Sequence, residues 1–176
     1  EAQERFSEAR LDAIRAIGRL AAEERCDFVV VCGDVFESNQ VDRRVVVRAL
    51  DALQAFSLPV YLLPGNHDPR NAASVFRSPA FTSHCPANVV VLEEEGVREV
   101  PGLGVELVAA PWSTKSPLED LAARACAALP RDDRVLRVLV AHGGVDALAP
   151  ERGDPGLIRL AAVEEAVRSG VVQYVA

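Results

Sequence analysis

Three short segments carry the residues able to do chemistry: Gly33-Asp34-Val35-Phe36-Glu37, Pro64-Gly65-Asn66-His67-Asp68 and Ala141-His142-Gly143-Gly144. Each follows a run of β-branched and aliphatic residues. A carboxylate, an amide carbonyl and an imidazole together suit a divalent cation such as manganese. An imidazole titrating near neutrality can also move a proton or steady a developing negative charge. Asp34, Asn66 and His142 are therefore the candidate metal ligands, and His67 is the candidate catalytic acid.

The segments differ in how much they demand such a reading. Gly33 lets the backbone turn tightly where a strand ends, so that Asp34 projects above a sheet; a lone Gly-Asp also suits a turn or a helix cap. Turn chemistry accounts for Pro64, Gly65 and Asn66 but not for His67, which an acidic neighbour would hold in one tautomer. The two glycines behind His142 clear space for a ligand, although a lone strand-end histidine can simply be hydrogen-bonded. All three segments occurring in one chain favours ligation.

Positioning these residues requires a layered α/β body. Apolar Leu11, Ile14, Ala16, Ile17, Leu20 and Ala21 recur at helical spacing and predict a surface helix from about Ser7 to Glu24. Phe28 to Cys32 reads as a central strand buried on both faces, Val41 to Phe56 as a helix, and Val60 to Leu63 as a second buried strand. That is a βαβ crossover, with the Asp34 and His67 loops at the same sheet edge. Ala72 to Ser83 reads as a short helix or loop and Asn88 to Leu92 as a strand. Val97 to Val100 and Val105 to Ala109 form a hairpin around Pro101-Gly102-Leu103-Gly104. Pro117 suits the start of a helix running to Leu129. Val135 to Ala141 is a strand ending at His142, and a helix over Ala161 to Ser169 precedes a strand start at Gln173 to Ala176.

With 176 residues, 49% of them hydrophobic and only 5% aromatic, the chain can bury an aliphatic core as one domain, 1–176. No apolar stretch reaches the roughly 20 residues that span a bilayer, and Glu1 to Arg5 is unlike a signal peptide, so the expectation is a soluble, cytoplasmic protein without a membrane partner. Cys26, Cys32, Cys85 and Cys126 form no C-x-x-C pair and read as reduced, buried thiols. The formal charge of -7 opposes binding of a phosphate backbone, although metal ions or a local basic surface reverse that. Arg43, Arg44 and Arg48, just after the Asp34 loop, are candidates to reach such a backbone. A chain without methionine that opens within an amphipathic pattern predicts a portion of something longer.

Gly33-Asp34, Gly65-Asn66-His67-Asp68 and His142 resemble the middle motifs of the calcineurin-like metallophosphoesterases. Within that superfamily, Gly33 to Glu37, Pro59 to Pro69 and Ala110-Pro111-Trp112 resemble the SbcD-type nucleases of DNA-break repair. The resemblance implies an αββα sandwich, two mixed β-sheets flanked by helices, truncated at both ends. It implies two divalent metal ions, manganese or magnesium, with Asp34 bridging them and with Asn66 and His142 on the second. A hydroxide activated by the two metals would attack phosphorus in line, and His67 would assist departure of the sugar oxygen. It further implies DNA as substrate, an SbcC-like ATPase subunit as partner, and a homodimer. The family's opening Asp-x-His and closing Gly-His-x-His motifs are absent and are expected beyond the two ends, so 1–176 alone is expected to be nearly inactive. Two other readings remain, a small-nucleotide phosphodiesterase or phosphatase and a non-catalytic scaffold for an ATPase.

Overall fold

Alternation along the strands assigns the apolar residues of the two sheets to layers. The computed structural model describes residues 2–148 and 154–176, and side chains from residue 5 onward within that range. A three-stranded sheet is built from β1 (Val29–Cys32), β2 (Val60–Leu63) and β3 (Val89–Val91), paired in that order and parallel throughout. A four-stranded mixed sheet joins β4 (Gly96–Val100) and β5 (Val105–Ala109) as an antiparallel hairpin. To β5 are added β6 (Leu136–Val140) and β7 (Tyr174–Val175), both in parallel pairings. Of the two mixed sheets expected, only the second is mixed. In the first, helical or looped connections let the described strands all run one way.

Five helices cover the outer faces: α1 (Ala2–Glu23), α2 (Arg43–Gln54), the short α3 (Pro79–Thr82), α4 (Leu121–Ala127) and α5 (Leu160–Arg168). Val60 and Leu62 of β2 pack with Val46, Leu50 and Leu53 of α2, while Tyr61 and Leu63 turn to the other side and join Leu107, Ala109 and Val140 of the second sheet. Leu139 and Val108 face Leu121, Ala122 and Ala166 of α4 and α5. Helix, sheet, sheet, helix is the result. Leu62, Leu63, Leu107 and Leu139 are wholly buried, each contributing about 2 kcal/mol by removal from water.

Several elements depart from the sequence reading. Strand β1 is half-buried along its length, unlike the fully buried β2, because it is the outer strand of its sheet. On α1, Leu11 and Ala21 are buried, but Ile17 and Leu20 stay exposed: Gly18 lies against the Phe56 ring, and the apolar stripe is wider than its contact. Pro117 does not begin a helix. Asp120 does, accepting the Ala123 N–H at 2.9 Å, and the same carboxylate takes the Arg159 N–H at 2.8 Å, tying the start of α4 to the start of α5. The thiols are free, yet Cys26 is exposed and only Cys126 is fully buried. No described helix is long and apolar enough to cross a membrane.

Candidate metal centre

The first two motif loops leave the C-terminal ends of neighbouring parallel strands. Gly33 (φ +89°) and Asp34 (φ +52°) both adopt left-handed backbone as β1 ends. A side chain at Gly33 would meet the His142 ring at 2.3 Å, and one at Gly65 would meet the Asp34 backbone and carboxylate at 2.3 Å. Glycine is therefore required at both places for the loops to touch. The third loop, bearing His142, comes from β6 of the other sheet, so the three loops meet at a junction of two sheets.

At that junction Asp34, Asn66 and His142 converge. His142 Nε2 lies 2.8 Å from Asn66 Oδ1 and 3.3 Å from Asp34 Oδ2. Its Nδ1 lies 2.8 Å from the carbonyl oxygen of Cys32, the last residue of β1. A carbonyl only accepts, so Nδ1 carries the proton in the neutral ring and the Nε2 lone pair faces two oxygen acceptors. Carboxylate, amide oxygen and imidazole around one point is a donor set that fits a divalent cation. Among the described residues, no group of three or more His, Cys, Asp and Glu side chains forms a metal cluster; here the third donor is the Asn66 amide.

His67 stands beside this group, half exposed, with Nε2 4.0 Å from Asp34 Oδ2 and its backbone N–H donating to Asp34 Oδ1 at 3.0 Å. The acidic neighbour expected to hold its tautomer is not what faces Nδ1. The Glu37 carbonyl oxygen does, at 3.1 Å, which leaves Nε2 free on the open side. Because the contact is through backbone, the identity of the side chain at 37 does not enter it.

Asp68, the last residue of the second motif, turns inward and is completely buried. Its carboxylate accepts the Phe36 N–H at 2.9 Å and the Gly65 N–H at 2.7 Å, fastening the two loops to each other. Burial pushes this carboxyl above its ordinary range, against the pull of those two donors. Trp112 closes the back of the site: its Nε1 donates to the His142 carbonyl at 2.6 Å, and its ring meets the His142 ring edge-on at 6.0 Å. The Cys32 and Glu37 carbonyls and the inward turn of Asp68 were not foreseen from sequence. Only Trp112, in the Ala-Pro-Trp string, carried a signal, through resemblance.

Three further positions lie close by. Arg43, Arg44 and Arg48 are exposed on the first turns of α2, where Asp42 caps the helix by accepting the Arg44 N–H at 2.7 Å. A groove of about 200 Å³ between α1, α2 and the Asp34 loop is lined by residues that include Val35, Phe36, Glu37, Arg44 and Arg48.

Comparison with known proteins bears on the family and the fold. The family model described as calcineurin-like phosphoesterase matches residues 7–163. A curated relative, the DNA double-strand break repair protein Mre11 of Archaeoglobus fulgidus, is 36% identical over 59 residues. That match spans 32% of this chain and 13% of the Mre11 chain. One solved crystal structure superposes with a TM-score of 0.52 at 19% identity, covering 93% of this chain and 77% of the other, a likeness of fold alone.

Proposed function

This chain belongs to the calcineurin-like phosphoesterase family, whose members work with divalent metal ions, and we propose that it is the central part of a metal-dependent DNA nuclease. The observation that carries the reading is the convergence of Asp34 Oδ2 and Asn66 Oδ1 on Nε2 of His142, within 3.3 Å. Asp34, Asn66 and His142 hold divalent cations, with manganese or magnesium suited to this oxygen-rich set. When bound, such ions supply Lewis acidity that offsets charge on the phosphoryl oxygens and activate water as a nucleophile. The Cys32 carbonyl keeps His142 in the ligating tautomer, and Asp34 orders the second loop through the His67 N–H. His67, tethered through Nδ1–H to the Glu37 carbonyl, would act as the acid in its imidazolium form, in which Nε2 carries the second proton and gives it to the departing sugar oxygen, leaving the neutral Nδ1–H ring.

The partial similarity to a DNA double-strand break repair protein supports DNA as the substrate, and the resemblance to SbcD-type nucleases supports an SbcC-like ATPase subunit and a homodimer as partners. Three donors are too few for a pair of cations. We infer that the remaining ligands come from sequence flanking 1–176, and that this stretch alone binds metal weakly and turns over little. Reading the coding sequence on both sides tests the first point, and manganese-dependent hydrolysis by the isolated 176-residue chain would overturn the second. For the whole protein, cleavage of duplex DNA in preference to a small chromogenic diester, lost in Asp34→Ala, is the expected result. Preference for the small diester would favour the nucleotide phosphodiesterase reading, and no cleavage of either the scaffold reading.

A further inference from the structure

A second feature of the surface lies between α2 and α3, outside the metal centre. It is an open cleft of about 580 Å³ lined by Arg43, Arg44, Val47, Arg48 and His84. Four of these five residues carry cationic or titratable nitrogen, and among the described residues no carboxylate lines the cleft. On a chain of net charge -7 this is a local reversal of sign.

Arg43 and Arg44 keep their charge available, while Arg48 is paired with Glu8. Asp42 is engaged as the α2 cap, and Glu8 is shared between Arg48 and Arg15. Among the described residues, Arg43 and Arg44 make no ion pair, so two guanidinium groups face solvent with their donors free. His84 Nδ1 is 2.9 Å from the Ala80 carbonyl, which takes the Nδ1 proton, so that Nε2 offers an N–H to a phosphate in the doubly protonated ring. The cleft sits at the N-terminal turns of α2, whose backbone dipole adds to the positive potential. Its position is also telling. Arg44 and Arg48 line both the cleft and the groove that Val35, Phe36 and Glu37 also line, Glu37 being the residue that tethers His67.

We propose that this cleft seats the phosphate backbone of the nucleic-acid substrate a short distance from the scissile bond, with Arg43 and Arg44 each contacting a phosphate and Arg48 and His84 completing the seat. The proposal rests on the nuclease reading above and adds to it where the polymer lies. An extended polyanion matches an open cleft of several separate cations, whereas a single phosphate would call for an enclosed one.

The test measures equilibrium binding of duplex DNA to the full chain in EDTA, as a function of salt, for the wild type, Arg43→Ala/Arg44→Ala and Arg98→Ala, an exposed arginine on β4 outside the cleft. The double variant is expected to bind more weakly, with the slope of log K against log salt smaller by about 1.8, or about 0.9 per lost phosphate contact. Arg98→Ala is expected to keep the wild-type slope. An unchanged slope in the double variant, or no DNA binding by the wild type, overturns the proposal even where the longer gene product cleaves DNA. Conversely, loss of slope with no cleavage by that product upholds the cleft and removes the nuclease reading. Arg43→Lys/Arg44→Lys, which keeps the charge, is expected to restore the slope; failure to do so assigns the loss to altered structure and overturns the proposal.

Discussion

His142 Nδ1 is held at 2.8 Å by the carbonyl oxygen of Cys32, a residue 110 positions earlier and in the other sheet. The nitrogen of His142 left for the proposed ligation, Nε2, is therefore set by backbone, and the contact is close because Gly33 has no side chain. Gly33→Ala places a methyl group against the ring at a positive φ of 89°. The expected outcome is a loss of about 1 to 3 kcal/mol in chemical denaturation and weaker manganese binding by calorimetry. His142→Ala is expected to abolish that binding while disturbing the fold less.

Trp112 is the single tryptophan and lies edge-on to His142, so its emission reports on the centre. Titration of the whole protein with manganese is expected to change Trp112 fluorescence, and the change is expected to vanish in Asn66→Ala. Trp112→Phe keeps most of the ring packing but leaves the His142 carbonyl without its donor, a cost of about 1 to 2 kcal/mol by thermal or urea unfolding.

Asp68→Asn is expected to act at a distance from the reacting atoms. One of the two N–H groups that the carboxylate accepts, from Phe36 and Gly65, would face an amide NH2 in its place. A destabilisation of about 1 to 3 kcal/mol follows, with faster hydrogen exchange at the Phe36 and Gly65 amides as the diagnostic readout.

A buried ion pair provides the contrasting case. Arg137 on β6 meets Glu106 on β5 at 2.7 Å, away from the motif loops, and is almost wholly buried. Arg137→Ala strands that carboxylate and is expected to cost about 3 kcal/mol while leaving the cation affinity of the remaining native protein unchanged, as calorimetry would show.

Thiol labelling separates the cysteines. Cys26 is exposed, whereas Cys126 is buried and its pKa is raised, chiefly by desolvation. A raised thiol pKa means less reactive thiolate at a given pH, so Cys126 is expected to react slowly at neutral pH and faster as the solution is made alkaline. Mass spectrometry after brief alkylation should find Cys26 modified first.

The unit β1, α2, β2 was legible because strand runs, turn residues and helical spacing all agree there, and because a βαβ crossover admits few topologies. Asp34, Asn66 and His142 were legible as a set through residue type. Their supports were not. A carbonyl such as that of Cys32 or Glu37 belongs to every residue, so no pattern of side chains announces which one will meet a histidine. Asp68 looked like part of the chemistry because it follows His67 directly, yet the turn reverses its direction into the interior. Pro117 carried a helix-start signal, but Asp120 won because its carboxylate satisfies the starts of two helices at once.

The division of the centre between sheets bears on mechanics. Asp34, Asn66 and His67 travel with the first sheet and His142 with the second, so a cation bound among them spans the seam where Leu63, Leu107 and Val140 meet. An ion that binds only the closed arrangement adds about 2.7 kcal/mol at a concentration one hundred times its dissociation constant. That gain opposes separation of the two sheets far more than fraying within either. On the proposed reading the ion would act as a latch on the sandwich, and its departure would lower the work of prising the two halves apart.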